Sequence, residues 1–244
     1  MKNIEELIKN VKKYKEAIIH EKFESNKNTV AYVTIDDKPR LLKWFVPGLK
    51  RQMITEYDVL KKGSAKLNIP SVYKMDEKNN VLLMNYITGE NLCDLINDKK
   101  TTTSEKNRLM ILLAEWFFNF HNHFKKEDQF RIRGDPILRN FILTDRIWVV
   151  DFEESRTGKV TEDIAGMCSS ILSTDPMFTT EKFELCKIFI DSYTKLAPGR
   201  IVNVSDEIAY ALLEKIQWRP DDEDILRKYS KEIREKGLGI KQNH

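Results

Sequence analysis

The sequence predicts an α+β fold in two lobes. Residues 1–86 form an antiparallel sheet with helices and residues 87–244 a mainly helical lobe, the two making one domain overall. Three observations carry this expectation. Apolar and polar residues alternate along Ile18–Phe23, Thr29–Ile35 and Arg40–Phe45, the period of half-buried strands. After residue 100 the apolar residues recur at helical spacing in long stretches. Turn-prone pairs, Asp36-Asp37 and Pro47-Gly48, bracket the third of the early strands.

At the N-terminus, Ile4, Leu7, Ile8 and Val11 make a helical stripe, and Glu5, Glu6 and Glu16 interrupt the lysines. This reads as a packed helix and not as a signal peptide. Three strands follow, and the third, in PRLLKWF, carries one inward lysine, Lys43. Met53, Tyr57 and Leu60 then mark a helix that also bears Glu56. Val72–Lys74 and Val81–Asn85 complete the sheet, and Tyr86–Gly89 is the connection to the second lobe.

There, Ser104 is placed to cap a helix running through Lys125, with Leu109, Leu112, Leu113, Trp116, Phe117 and Phe120 as its core stripe. His121 and His123 are two apart, hence on different faces, and do not read as a metal pair. Trp148, Val149 and Val150 form a short strand. Helices are expected at 162–173, 180–196, 205–218 and 221–236, with Gly237 as the last stop.

Composition narrows the class. Of 244 residues, 41% are hydrophobic, enough for a core, and 32% are charged. No apolar run approaches membrane-spanning length. Cys93, Cys168 and Cys186 are odd in number and widely spaced, which fits reduced core thiols in a cytoplasmic protein and gives no zinc spacing.

The chemistry-bearing residues fall in a fixed order. RGDPILRNFI holds Asp135 and, five residues on, Asn140; WVVDFEES puts Asp151 at the end of the short strand. Moving a phosphoryl group needs one carboxylate to accept a hydroxyl proton. It also needs a second carboxylate and an amide oxygen to hold metal on the nucleotide phosphates. Upstream, a strand lysine and a glutamate on the next helix, Lys43 and Glu56, are the pair that places those phosphates.

With these residues in this order the chain resembles the protein-kinase-like phosphotransferases, in their small atypical branch. That branch contains the RIO kinases, the small kinase of the tRNA-threonylcarbamoylation (KEOPS) complex, the archaeal tRNA 2′-hydroxyl kinase and, further off, the aminoglycoside phosphotransferases. The resemblance covers residues 18 to about 172, through LLKW, TEYDVL, LLMNYITGENL and RGDPILRNFI…WVVDFEES…EDIA. It implies a two-lobed kinase-like fold and ATP with Mg2+ or Mn2+ as cofactors. Lys43 would be the phosphate lysine, Glu56 its partner and Met84 the gatekeeper. Asn85 and Ile87 would offer backbone groups to adenine. Asp135 would be the catalytic base, Asn140 and Asp151 the metal ligands, and Asp163 a brace for the catalytic loop.

The chain departs from that pattern in three places. The first hairpin loop, FESNKNTVAY, has no glycine, so Ser25, Lys27 or Asn28 either meets phosphate by side chain or belongs to an ordinary polar turn. Phe152-Glu153 follows Asp151 where the family has Phe-Gly. Arg133-Gly134 precedes Asp135 where the family has histidine. A non-catalytic nucleotide-binding protein therefore stands as a third alternative.

For the acceptor, Asp163 follows Asp151 by only twelve positions, too few for a peptide-docking segment. Arg131, Arg133 and Arg139 surround Asp135. From residue 227 onward six Lys/Arg, including Arg227, Lys228, Lys231 and Arg234, stand against two Glu. Such surfaces suit a polyanion. The expected acceptor is RNA, specifically a tRNA ribose 2′-hydroxyl, with a RIO-like serine/threonine kinase or ATPase as runner-up.

Overall fold

The structure, a computed structural model, describes residues 4–23 and 27–239. The chain divides into two compact units. One runs to Thr88 and takes in Trp148–Glu154; the other comprises Gly89–Ile147 and the chain from Ser155 onward. The segment carrying Asp151 returns to the first unit. Its anchor there is the Val149 N–H, which donates to the Asn68 carbonyl at 3.0 Å.

In the first unit, β1 (Ile18–Phe23), β2 (Thr29–Ile35), β3 (Lys38–Trp44), β4 (Val72–Asp76) and β5 (Val81–Met84) form an antiparallel sheet in the order β1-β2-β3-β5-β4. Ala31, Val33, Leu42, Trp44, Val81 and Leu83 share one face, where Ile4 and Leu7 of α1 (Ile4–Asn10) and Tyr14 pack against them. Because side chains alternate along a strand, Lys43 points to the opposite face, with Phe45. On that side α2 (Lys50–Gly63) buries Met53, Glu56, Val59 and Leu60. Alternation on β3 and the 3.6-residue repeat of α2 thus aim one cation and one carboxylate at each other.

The second unit is built on α4 (Thr103–His123), α5 (Val160–Leu172), α6 (Thr180–Leu196), α7 (Val204–Glu214) and α8 (Glu223–Lys236), with the shorter α3 (Leu92–Asn97). Its core centres on Trp116, Phe117 and Phe120 of α4, with Phe141 and Phe189 packed edge-on and tilted against them. Short strands complete it: β6 (Glu90–Asn91) pairs with β8 (Phe141–Leu143), and β7 (Phe130–Ile132) with β10 (Arg156–Gly158). β9 (Ile147–Val149) leads the chain back into the first unit.

Two expected helix ends move. Thr102, not Ser104, caps α4: its hydroxyl accepts the Glu105 N–H while the Glu105 carboxylate accepts the Thr102 N–H. The helix expected over 205–218 stops at Glu214 and tightens into a 3-10 turn, Lys215–Gln217. Pro220 bars a continuing α-helix just ahead of it. All three cysteines are buried and free. Among the described residues no helix is long and apolar enough to cross a membrane.

Candidate active site

The first unit assembles a dense charge cluster. The Lys43 ammonium donates to Glu56 and to Asp151, each at 2.7 Å, and stands 2.9 Å from the Glu153 carboxylate. Lys43 is 5% and Glu56 1% exposed, so neither charge is shared with bulk water. Burial works against the Lys43 charge, but Glu56, Asp151 and Glu153 together outweigh it and hold its pKa above the ordinary lysine range. Burial raises the Glu56 pKa. Lys43 pulls it down, and the neighbouring Asp151 and Glu153 push it further up. The second Glu56 oxygen accepts the Phe152 N–H at 3.3 Å, tying the helix to the residue after Asp151.

Asp151 has φ 65°, a left-handed conformation that aspartate tolerates better than most residues. Such conformations persist where the surroundings impose them, often at functional sites. Oxygens of Glu56, Asp151 and Glu153 lie within 4.8 Å of one another. Hard carboxylate oxygens at that spacing fit Mg2+ or Mn2+ far better than a soft metal.

Glu153 was not anticipated as a site residue. Its carboxylate also accepts from Asn28 Nδ2 at 2.6 Å, and Glu154 pairs with Lys27 at 2.8 Å. The glycine-free hairpin therefore turns two of its polar side chains toward the segment after Asp151; Ser25 lies outside the described residues. Met84 ends β5 and is buried. The Asn85 N–H already donates to the Ser71 carbonyl at 3.1 Å, so the expectation that it serves adenine narrows to its carbonyl and to Ile87. Tyr86, between them, stacks on Tyr32 at 4.3 Å.

The second unit holds Asp135 and Asn140. Asp135 is exposed at the head of its loop, and Asn140 closes the 3-10 turn Leu138–Asn140. α5 supports this loop at three points. Near its start the buried Asp163 carboxylate accepts the Arg133 N–H at 2.7 Å and the Gly134 N–H at 3.1 Å. Gly134 has φ 82°, which suits glycine at that bend. One turn on, Gly166 leaves room for Pro136, whose Cγ would lie 2.8 Å from a Cβ there. Ser170 Oγ then accepts the Leu138 N–H at 3.0 Å.

Behind Asp163 stands His121, fully buried. Its Nε2 is 3.0 Å from the carboxylate and its Nδ1 is 2.8 Å from the Tyr193 hydroxyl. His121 had only the reading of a packed or hydrogen-bonded helix residue in the sequence, because its partners lie 42 and 72 residues away.

The proposed substrate cations divide. Arg133 is 2% exposed and its guanidinium lies 5.2 Å from the Phe141 ring centroid. It is a core residue, and the expectation that it meets substrate phosphates is withdrawn. Arg131 Nε donates to Ser155 Oγ at 3.1 Å, and Arg139 is exposed. On α8, Arg227 pairs with Glu223 at 2.6 Å and Arg234 reaches Asp206 at 3.8 Å, while Lys228 and Lys231 are exposed. α8 also carries Asp224, Glu232 and Glu235, which dilute its positive field.

A sheet-bearing unit with a buried Lys–Glu pair, followed by a helical unit with an Asp-x4-Asn loop, has the fold of the protein-kinase-like phosphotransferases. No family model matches the chain, and no curated protein matches its sequence. Solved structures do. Aminoglycoside phosphotransferase APH(4)-Ia superposes with a TM-score of 0.67 at 12% identity, covering 98% of each chain. The streptomycin–ATP ternary complex of APH(2")-IIa matches at 0.59 and 15% identity, over 94% of this chain and 97% of that one. A choline/ethanolamine kinase family protein from Mesorhizobium loti matches at 0.59 and 13%, over 89% and 90%. At these identities the likeness establishes the fold. It extends over nearly the whole chain, well past the residue 172 at which the motifs end.

Proposed function

We propose that the protein is an ATP-dependent phosphotransferase that moves the γ-phosphoryl group to a hydroxyl of RNA, tRNA being the acceptor to test first. The observation that carries the catalytic half is the buried Lys43 ammonium, 2.7 Å from both Glu56 and Asp151. Lys43, oriented by Glu56, neutralises donor phosphate oxygens. Asp151 and Asn140 are the residues proposed to hold a divalent cation. When bound, that ion supplies charge neutralisation on the ATP phosphates. Asp135 takes the proton of the acceptor hydroxyl as the new O–P bond forms and the bond from phosphorus to the ADP oxygen breaks. Positioning and fixed charge supply most of the acceleration in such a reaction.

The acceptor half rests on charge and on missing space. β10 and α5 occupy the chain from Arg156 onward, leaving four residues after Asp151 outside regular structure. That speaks against a docking segment for protein substrates. Arg139, Lys159, Lys228 and Lys231 are exposed cations in the second unit. A second reading, a small-molecule alcohol, is favoured by the near full-length likeness to aminoglycoside phosphotransferases. Incubation with γ-labelled ATP and Mg2+, separately with total tRNA, a generic protein and a panel of small alcohols, tests both. Label on ribose that survives protease and is lost to nuclease supports RNA. Label on a small alcohol alone moves the assignment to the second reading, and no metal-dependent turnover with any acceptor rejects the kinase.

A further inference from the structure

We propose that the Glu153 carboxylate is an internal stand-in for a phosphate group: it fills an anion cradle made by Lys43 and Asn28, and the donor nucleotide binds by displacing it. The inference rests on the phosphotransferase reading above. It goes beyond that reading by naming the side chain that replaces a glycine-rich loop on the phosphates and the group that keeps their place.

The cradle is built on one face of the sheet. Val30 of β2 pairs with Lys43 of β3, and Asn28 precedes Val30 by two residues, which carries it to the Lys43 side. A single oxygen, Glu153 Oε2, lies 2.6 Å from Asn28 Nδ2 and 2.9 Å from Lys43 Nζ. Asn28 is 7% and Lys43 5% exposed, and the Glu153 side chain 9%, so the contact is enclosed. An anionic oxygen gripped by an ammonium and an amide N–H, away from water, has the surroundings that a phosphate oxygen requires. The hairpin has no glycine to bring backbone N–H groups up to an anion. Asn28 supplies a side-chain N–H in their place.

Lys43 determines which group must leave. Its ammonium has three protons, and three carboxylates surround it: Glu56 and Asp151 at 2.7 Å and Glu153 at 2.9 Å. A phosphate oxygen reaches Lys43 only by displacing one of them. Glu56 is buried, and its other oxygen accepts the Phe152 N–H at 3.3 Å. Asp151 is the residue proposed to hold the metal. Glu153 stands at the longest of the three distances, on the segment that faces the hairpin. Its neighbour Glu154 pairs with Lys27 at 2.8 Å, both exposed, in a tie that solvent weakens. Residues 153 and 154 are therefore fastened to the hairpin by one enclosed contact and one exposed one. Both can be exchanged for nucleotide phosphates while the Lys43–Glu56 pair stays in place.

The test uses the full chain and calorimetric titration without divalent metal. The probes are inorganic tripolyphosphate, a non-hydrolysable ATP analogue and adenosine. Glu153→Ala is expected to bind both phosphate probes about tenfold more tightly than wild type, with adenosine unchanged. Glu154→Gln removes the same charge one residue away, outside the cradle, and should change either affinity by no more than about twofold. Asn28→Ala is made in the Glu153→Ala background, where no carboxylate is left to displace. There it should weaken both phosphate probes about ten- to a hundred-fold, the usual loss for one charge-assisted hydrogen bond, and again spare adenosine. Glu153→Gln, of the same size as the natural residue, takes the place of Glu153→Ala should the latter fail to fold. Equal tightening by the Glu153 and Glu154 variants reduces the effect to general charge and overturns the inference. So does no tightening, no tripolyphosphate binding by the Glu153 variant, or an Asn28→Ala effect that is absent or falls equally on adenosine. The kinase reading fails separately: an ATP analogue that binds no better than tripolyphosphate, with no metal-dependent turnover, rejects it, while the tripolyphosphate series still decides the cradle.

Discussion

The Glu153 carboxylate stands 2.9 Å from the Lys43 ammonium, the third carboxylate on a single buried cation. Even with the Glu56 pKa raised to about 7, Asp151 and Glu153 leave negative charge in excess around Lys43, which would oppose the incoming triphosphate of the proposed reaction until metal is bound. Glu153→Gln keeps the size and the acceptor for Asn28 while removing one charge. It should tighten Mg2+-ATP binding by about 1 kcal/mol, several-fold in affinity. Calorimetric titration with an ATP analogue at fixed Mg2+ checks this. Weaker binding in the variant would make Glu153 a metal ligand and not a competitor for Lys43.

Asp135→Asn retains shape and hydrogen bonding but is a far poorer base. Loss of general-base help costs about 100- to 10,000-fold in rate. Phosphate transfer should fall by that factor while ATP-analogue affinity is unchanged, because in the proposed reaction Asp135 serves the acceptor hydroxyl and not the nucleotide. Equal, near-zero transfer by variant and wild type would support the non-catalytic alternative.

The buried Asp163 carboxylate accepts two backbone N–H groups of the loop that bears Asp135. Asp163→Asn replaces one acceptor oxygen by a donor facing a donor. A buried polar group left unsatisfied costs about 1–3 kcal/mol, and more when a charge is involved. Urea unfolding should show a loss of at least that size, and turnover should fall further because the loop bearing Asp135 loses its support. A stable variant with full activity would show that Gly166 and Ser170 suffice.

Acid should loosen the N-terminal helix. Burial alone would raise the Asp76 pKa, but hydrogen bonds from Lys13, Asn79 and Tyr14 outweigh it and hold it at about 2. A carboxyl with a depressed folded pKa contributes stability above its unfolded value near 4 and loses it as pH falls through the folded one. The shift corresponds to roughly 2 kcal/mol. Denaturant titrations of wild type and Asp76→Asn should differ by about that amount at pH 6 and converge toward pH 2. A difference that persists at pH 2 would place the effect in packing and not in charge.

Much of the candidate site was legible because its parts have local signatures. Period-two alternation put Lys43 on a strand, the 3.6-residue repeat put Glu56 on the next helix, and the run Trp148–Val150 placed Asp151 just past a strand end. These are properties of neighbouring residues, so the sequence alone determined them, and with them the α+β order of elements. Tertiary structure decided which charges meet. Nothing near Glu153 announces that it joins Lys43, 110 positions earlier in the chain. Arg133 reads as a surface cation from its neighbours, yet its place beside Phe141 buries it. His121 and Asp163 come together only because α4 and α5 pack as they do. The energy of a buried charge depends on what surrounds it in space, and that environment has no periodicity along the chain.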